Sequence, residues 1–318
     1  MNKTRKNDLI MFFCGAVVFL LLHALMETEI IGPFWQLNII LACINIILAV
    51  SLNLINGFTG QFSIGHAGFM AIGAYVSAIM TVKQGLPFII AILAAFIAAA
   101  ALGFVIGVPT LRLSGDYLAI ATLGLSEIIR VCILNTPYVG GASGFMGIPH
   151  LTNFPWAFGL MFLTVYLIKN IVNSAHGRAL IAVRENELAA ETMGIDAAKY
   201  KTLAFTIGAG FAGLGGALFS HYFYLAHPSS FTFMRSFDIL TMVVLGGLGS
   251  ISGSIIGAVI LVFVSAALAD FPEWRMIIYA VTLIVLMIFR PQGLLGNKEL
   301  SEKMLGLLRK GGIRRDAA

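Results

Sequence analysis

Few side chains in this sequence invite a chemical reading. Glu127 and Arg130 stand three residues apart inside an apolar stretch, about ten residues from its start. Alone in hydrocarbon, each charge would cost on the order of 3 kcal/mol or more. At this spacing they share a helix face and neutralise one another. The pair reads as lining a solute path or a subunit contact, with a self-satisfied structural pair as the equal alternative. A proton relay needs a second intramembrane carboxylate in series, and none is expected. Asn38, Asn45 and Asn53 recur along about one face of an earlier apolar run that leads into Gln61, Ser63 and His66. Amide side chains and interrupted backbone offer a polar solute the hydrogen bonds it loses with water. Bonding between helices is the competing use of the same residues. The expected path residues are therefore Asn45, Asn53, Gln61, Ser63, His66, Glu127 and Arg130.

Glycines mark where helices should break. Gly57, Gly60, Ser63 and Gly68 recur as Gly246, Gly249, Ser252 and Gly257, with Gly65 inside the first group. The shared offset hints at an internal repeat with interruptions in matching places, as transporters use near their substrate paths. Chance in a glycine-rich chain competes with that reading. The other informative segment is 173–201, the one long charged stretch within the chain. Its Arg178, Arg184, Lys199 and Lys201 balance Glu185, Glu187, Glu191 and Asp196. It predicts one or two short helices, with Ile181, Leu188 and Met193 as apolar anchors and Gly194 as a helix end. A balanced charged surface suits a soluble protein partner better than anionic lipid, which prefers net positive charge.

These residues need elements to hold them, and composition says which. Of 318 residues, 59% are hydrophobic and 11% charged, and mean hydropathy is +0.93. A water-soluble domain needs more polar surface than this, so hydrocarbon is the solvent. The expected fold is all-α and polytopic, with about eight to ten transmembrane helices and glycine-rich broken segments. Apolar runs place spans near 9–26, 30–55, 67–82, 87–110, 117–136, 153–171, 202–226, 236–246, 250–269 and 276–289. The run 236–246 is short for a full crossing, which takes about 20 residues, and reads as a half-helix. The first run resembles a leader, but Glu27-Thr28-Glu29 replaces a small-residue cleavage site, so it reads as an uncleaved helix.

Lysine and arginine concentrate at both ends, seven of the twenty lying between Arg290 and Arg315. The positive-inside rule then puts both termini and 173–201 in the cytoplasm, with Lys83, Arg235 and Arg275 as exceptions. Two regions follow: a transmembrane domain over 1–289 and a basic tail over 290–318, with a short surface helix expected near 298–310. The clustered charge indicates membrane lipid and not nucleic acid. Asp116 and Tyr117 are expected to cap the fifth span, and the outer loop 138–147 reads equally as a partner contact or a linker. Cys14, Cys43 and Cys132 sit singly in apolar runs and read as small buried hydrophobes. No phosphate-cradling Gly-Lys pair and no metal-ligand spacing occurs, so no catalytic residue, bound cofactor or metal is expected.

Six ordered blocks carry a resemblance: Asn53 to Phe69, Arg112 to Leu123, Gly140 to Gly144, Gly177 to Gly194, Gly246 to Ser250 and Arg290 to Leu294. Together they resemble the branched-chain amino acid ABC permease family, LivM type, over about 39–296. The resemblance implies a permease subunit of the bacterial inner membrane that passes branched-chain amino acids inward by alternating access. It also implies a second related permease, two ATPase subunits that use ATP, and an external binding protein. The segment 173–201 resembles the ATPase-docking loop of such importers, with Ala189, Ala190 and Gly194 matching its motif and Leu188 standing where Glu is usual. The coupling set implied is Gly177, Arg178, Arg184, Glu185, Asn186, Glu187, Ala189, Ala190 and Gly194. A urea or short-amide permease of the same family, and a stand-alone transporter using Glu127 and Arg130, are the rival readings.

Overall fold

Apolar runs bounded by Gly, Pro and Asn become helices in the computed structural model, which describes residues 3–28, 30–110, 113, 115–269, 281, 284, 288, 293, 294 and 296. Helix α1 covers Lys3–Glu27, and α2 covers Pro33–Asn53 with Pro33 in its first turn. Proline fits there because its missing N–H is one the helix start leaves unpaired. A π-helical turn, Leu54–Phe58, extends α2 into the first glycine-rich break. Then follow α3 His66–Ala78, continued by a π turn to Lys83, α4 Phe88–Thr110, α5 Asp116–Leu134 and α6 Phe154–Asn173. Two short helices, α7 Ala175–Glu185 and α8 Glu187–Thr192, precede α9 Ala197–Phe223, α10 Phe233–Gly246 and α11 Ile251–Ala267.

Five of these elements are long and apolar enough to cross a membrane: α2 with its extension, α4, α5, α6 and α9. The seventh run begins at Ala197, earlier than expected, because Asp196 accepts a hydrogen bond from the Lys199 N–H and caps the helix there. Helix α10 has only 14 residues and starts after a 3₁₀ turn at Pro228–Phe231, so the half-helix reading holds. Of the expected run 276–289 and the tail 290–318, all but 281, 284, 288, 293, 294 and 296 lie outside the described residues, as does the surface helix expected near 298–310.

Small residues set how closely the elements approach. On α9, Gly213 meets the backbone of Gly73 in α3, and Gly216 meets the Met70 carbonyl, where any Cβ would collide. Close approach of backbones through glycine is how helices associate where lipid removes the hydrophobic drive. Helix α2 lies beside α9 and is buried from Ala42 to its end, whereas Ile89, Leu93, Ile97 and Val105 of α4 are exposed. That exposed stripe is the lipid-facing surface the composition requires.

The connections sort to two ends. At one, strand β1 (Phe145–Met146) pairs antiparallel with β2 (Leu225–Ala226), and the Tyr75 hydroxyl donates to the Ala226 carbonyl at 2.8 Å. Lys83 lies 3.3 Å from the Tyr138 ring centroid. The loop 138–147 is therefore tied down, not a linker. At the other end lie α7, α8 and both glycine breaks. Cys43 is buried as expected, but Cys14 and Cys132 face outward.

The α3–α9 contact makes a testable demand. Gly73→Val and Gly216→Val should each cost about 1–3 kcal/mol by forcing the backbones apart. Gly159, with open space around it, should accept alanine without loss. Thermal unfolding of the three purified variants in detergent distinguishes the two classes.

Candidate functional site

The two glycine-rich breaks, far apart in sequence, meet in space. The Asn53 side chain at the end of α2 donates to the Ser250 carbonyl at 2.9 Å and accepts from the Gly249 N–H at 2.9 Å. One amide thus satisfies two backbone groups of the other break, both in surroundings from which water is excluded. Ser250 in turn caps α11 by accepting from the Gly253 N–H at 3.1 Å. Gly249 has φ +82° and Gly60 has φ +73°, conformations L side chains adopt only with strain. Gly57 fits because a Cβ there would strike the Asn53 amide and the Gly249 nitrogen, and Gly246 because one would strike the Gly253 carbonyl.

The first break is braced from within. Asn56 donates its amide to the Ser63 carbonyl at 3.1 Å and accepts from the Ser63 N–H at 3.2 Å. The Ile64 N–H donates to Thr122 of α5 at 3.1 Å, and the Ala67 N–H to Ser236 of α10 at 3.0 Å. His66 lies 2.9 Å from the Ser51 hydroxyl, both buried. Gly65 and Gly68 let this segment lie against the α5 backbone at Thr122 and Ser126. Of the expected path residues, Asn53, Ser63 and His66 are thus engaged in holding the break. Gln61 is buried, and its amide makes no hydrogen bond with the described residues.

The charged segment reaches this junction through one side chain. Ser174 accepts from the Gly177 N–H and caps α7, and a Cβ on Gly177 would strike the Val172 carbonyl, so the α6–α7 corner is tight. From α7, the Arg184 guanidinium donates to the Gly57 carbonyl at 2.9 Å. Its stem lies against Gly60 and its head against Gly249, so Arg184 touches both breaks. Glu185 accepts from its other edge at 2.5 Å. Asn186 caps α8 by accepting from the Ala189 N–H, and Glu187 pairs with Lys201 at 2.5 Å.

Of the three anchors expected for this segment, Ile181 packs against the core and the other two do not. Leu180, Val183 and Ala190 are buried, while Leu188 and Met193 are 75% and 82% exposed. Helices α7 and α8 are short, so one face rests on the membrane domain and the opposite face carries the outward pair. Gly194 ends α8 with φ +81° and open space around it. Arg178 and Ala189 lie on the exposed surface.

Glu127 and Arg130 form the expected pair at 2.7 Å, each 27% exposed. The second Glu127 oxygen accepts from the Phe233 N–H at 3.1 Å, so this carboxylate also caps α10 where the helix dipole favours negative charge. At α5 itself, Gly115 occupies the cap position without a side-chain bond, and Tyr117 is exposed; the expected cap by Asp116 and Tyr117 is not formed. Sequence reasoning overlooked a second carboxylate, Asp238, three residues after Arg235 in α10. Arg235 donates to Asn45 at 2.7 Å, and both charged residues line a cavity of about 200 Å³. The signal was there: Arg235 broke the charge rule, and a charge that breaks it inside a span needs a reason.

The comparisons agree with one another. A family model described as "Branched-chain amino acid transport system / permease component" matches residues 37–287. The high-affinity branched-chain amino acid transport system permease protein LivM of Escherichia coli K12 is 38% identical over 290 residues, 80% of this chain and 68% of that protein. A probable branched-chain amino acid transport permease protein LivM of Methanocaldococcus jannaschii is 28% identical, covering 65% of this chain and 68% of its own. The LivH permease protein of Escherichia coli K12 is 26% identical over 80% of this chain and 92% of its own. No solved structure gives a significant match.

The Asn53 clamp is open to a direct check. Asn53→Ala leaves the Gly249 N–H without its partner, at about 1–3 kcal/mol, while the Ser250 carbonyl keeps the Ser254 N–H at 3.1 Å. Hydrogen exchange should accelerate at 247–253 more than at 205–218 in α9. Equal protection in both segments would contradict the clamp.

Proposed function

The chain belongs to the permease-component family of branched-chain amino acid transport systems, and on that premise we propose that it is the LivM-type membrane subunit of an ABC importer. It sits in the bacterial inner membrane and provides a path for branched-chain amino acids. It is a transport subunit and not an enzyme; ATP is used on partner subunits. The full assembly in this reading has a second, LivH-like permease, two cytoplasmic ATPases and an external amino-acid-binding protein.

The observation that carries the mechanism is the Arg184 contact with both breaks. A docked ATPase would press on the outward face of α7 and α8, where Leu188 and Met193 are exposed. Arg184 ties that segment to the turns from which α2, α3, α10 and α11 leave. A small displacement of the loop then acts on four helices together, which suits alternating access of a rocking kind. Gly177, Asn186 and Glu187 shape the segment, Ala190 seats it, and Arg178, Ala189 and Gly194 present its outer surface. Against the gradient-driven alternative, both Glu127 oxygens are engaged, by Arg130 and by the Phe233 amide. A carboxylate so occupied suits structure better than proton relay.

Affinity purification of the chain from its native membrane tests the assembly. Two ATPases and a second permease should co-purify, and the reconstituted complex should import leucine only with ATP inside the ATPase compartment. The chain recovered alone and active without ATP would overturn the proposal.

Arg184→Gln should lower leucine uptake at least tenfold while the complex still assembles and hydrolyses ATP. Leu188→Asp with Met193→Asp should instead reduce recovery of the ATPases on the same column. Measuring uptake, hydrolysis and subunit stoichiometry on each variant separates transmission from docking; normal uptake in Arg184→Gln would remove Arg184 from the mechanism.

A further inference from the structure

The surface that α5 and the start of α10 present differs from the lipid-facing stripe of α4. Tyr117, Ile120, Ile128 and Val131 are exposed. With Gly124 and Glu127 they fall at spacings of three and four residues, so they share one face of α5. Glu127 stands eleven residues after Asp116 and seven before Leu134, about 16 Å and 10 Å from the two ends at a rise of roughly 1.5 Å per residue. At that depth the side chains of Glu127 and Arg130 are each 27% exposed. Phe233, whose N–H donates to Glu127, carries the face on to α10 with the exposed Met234 and Phe237.

Hydrocarbon is a poor occupant for this face. Pairing neutralises Glu127 and Arg130, but the exposed edges of both heads remain polar surface that lipid cannot hydrogen-bond. Charged side chains within spanning helices turn toward protein or water for that reason. The exposed stripe of α4, by contrast, holds apolar side chains on a helix without a charged residue. Gly124 points the same way. A Cβ there would meet nothing within 4 Å, so no contact among the described residues asks for glycine, which costs stability in mid-helix. Glycine on the outer face of a spanning helix lets the backbone of another helix come close. Depth limits the occupant further, since a soluble ATPase or binding protein does not reach the middle of a bilayer. Large side chains cover most of the face, and Tyr, Phe and Met are types enriched where proteins meet.

We propose that the α5 face from Tyr117 to Val131, with Phe233, Met234 and Phe237 of α10, is the surface that packs against the second permease of the importer. The assignment rests on the assembly proposed above and adds to it the face that is used. A permease related to this chain along most of its length, as the LivH protein is, offers an equivalent helix. A pseudo-two-fold axis then sets α5 against its counterpart with Gly124 at the crossing, and the exposed edges of Glu127 and Arg130 meet protein groups in place of lipid.

The test is photo-cross-linking in the purified importer reconstituted in lipid, with p-benzoylphenylalanine in place of Ile128 or, as the lipid-facing control, of Ile97. Peptide sequencing of the adducts should show a second permease-family chain joined at 128 and no protein joined at 97. Gly124→Leu, whose side chain has room within this chain, should lower recovery of the second permease at least threefold relative to Gly159→Leu, a change in equally open space on α6. This pair of variants keeps the claim open to refutation where the photoreactive residue disturbs assembly. No protein adduct at 128, or equal recovery of the second permease with both glycine variants, would overturn the face and leave the importer standing. A leucine-importing complex in which this chain pairs only with its own copy would instead overturn the assembly on which the face depends.

Discussion

A helix interrupted inside a membrane protein leaves backbone donors and acceptors that lipid cannot satisfy. This fold answers that constraint by bringing its two interruptions together. Asn53 hydrogen-bonds Gly249 and Ser250, Arg184 donates to Gly57, and glycines at 57, 60, 246 and 249 give the room. Neither break is satisfied by its own segment alone. The helix pairs α2–α3 and α10–α11 are therefore joined where each is weakest, and the segment that joins them is the one facing the ATPases in the proposed assembly.

That arrangement gives each part a physical role. Helices α3 and α9 make a stiff centre through glycine contacts, α4 presents apolar side chains to lipid, and α10 spans only part of the distance. A shortened helix places its N-terminal N–H groups within the protein, where Glu127 takes the Phe233 amide. The same shortening brings Arg235 and Asp238 to the cavity among α2, α9, α10 and α11.

Much of this was legible in the residues. Apolar run length placed α2, α4, α5 and α6 within a few positions, because hydrocarbon thickness leaves little freedom in span length. The offset glycines found both breaks. The spacing of Glu127 and Arg130 found their pair. What the sequence withheld were partners distant along the chain. Asn53 has the face and spacing of a path residue, but its neighbours come from positions 249 and 250. Leu188 and Met193 fit an amphipathic pattern, which says that an apolar face exists and not whether this chain covers it. Arg235 departed from the charge rule, yet Asp238 beside it drew no notice, since a short apolar run dilutes two charges in any average.

The central claim is that the α7–α8 segment and both breaks travel as one body. Spin labels at Glu191 with Phe62, at Glu191 with Leu248 and at Glu191 with Tyr138 measure this in the assembled importer, with and without ATP. The account predicts that the first two distances hold while the third, to the opposite end of the molecule, changes. Loop-to-break distances that change as much as the third would show that Arg184 does not transmit the motion, and would contradict it.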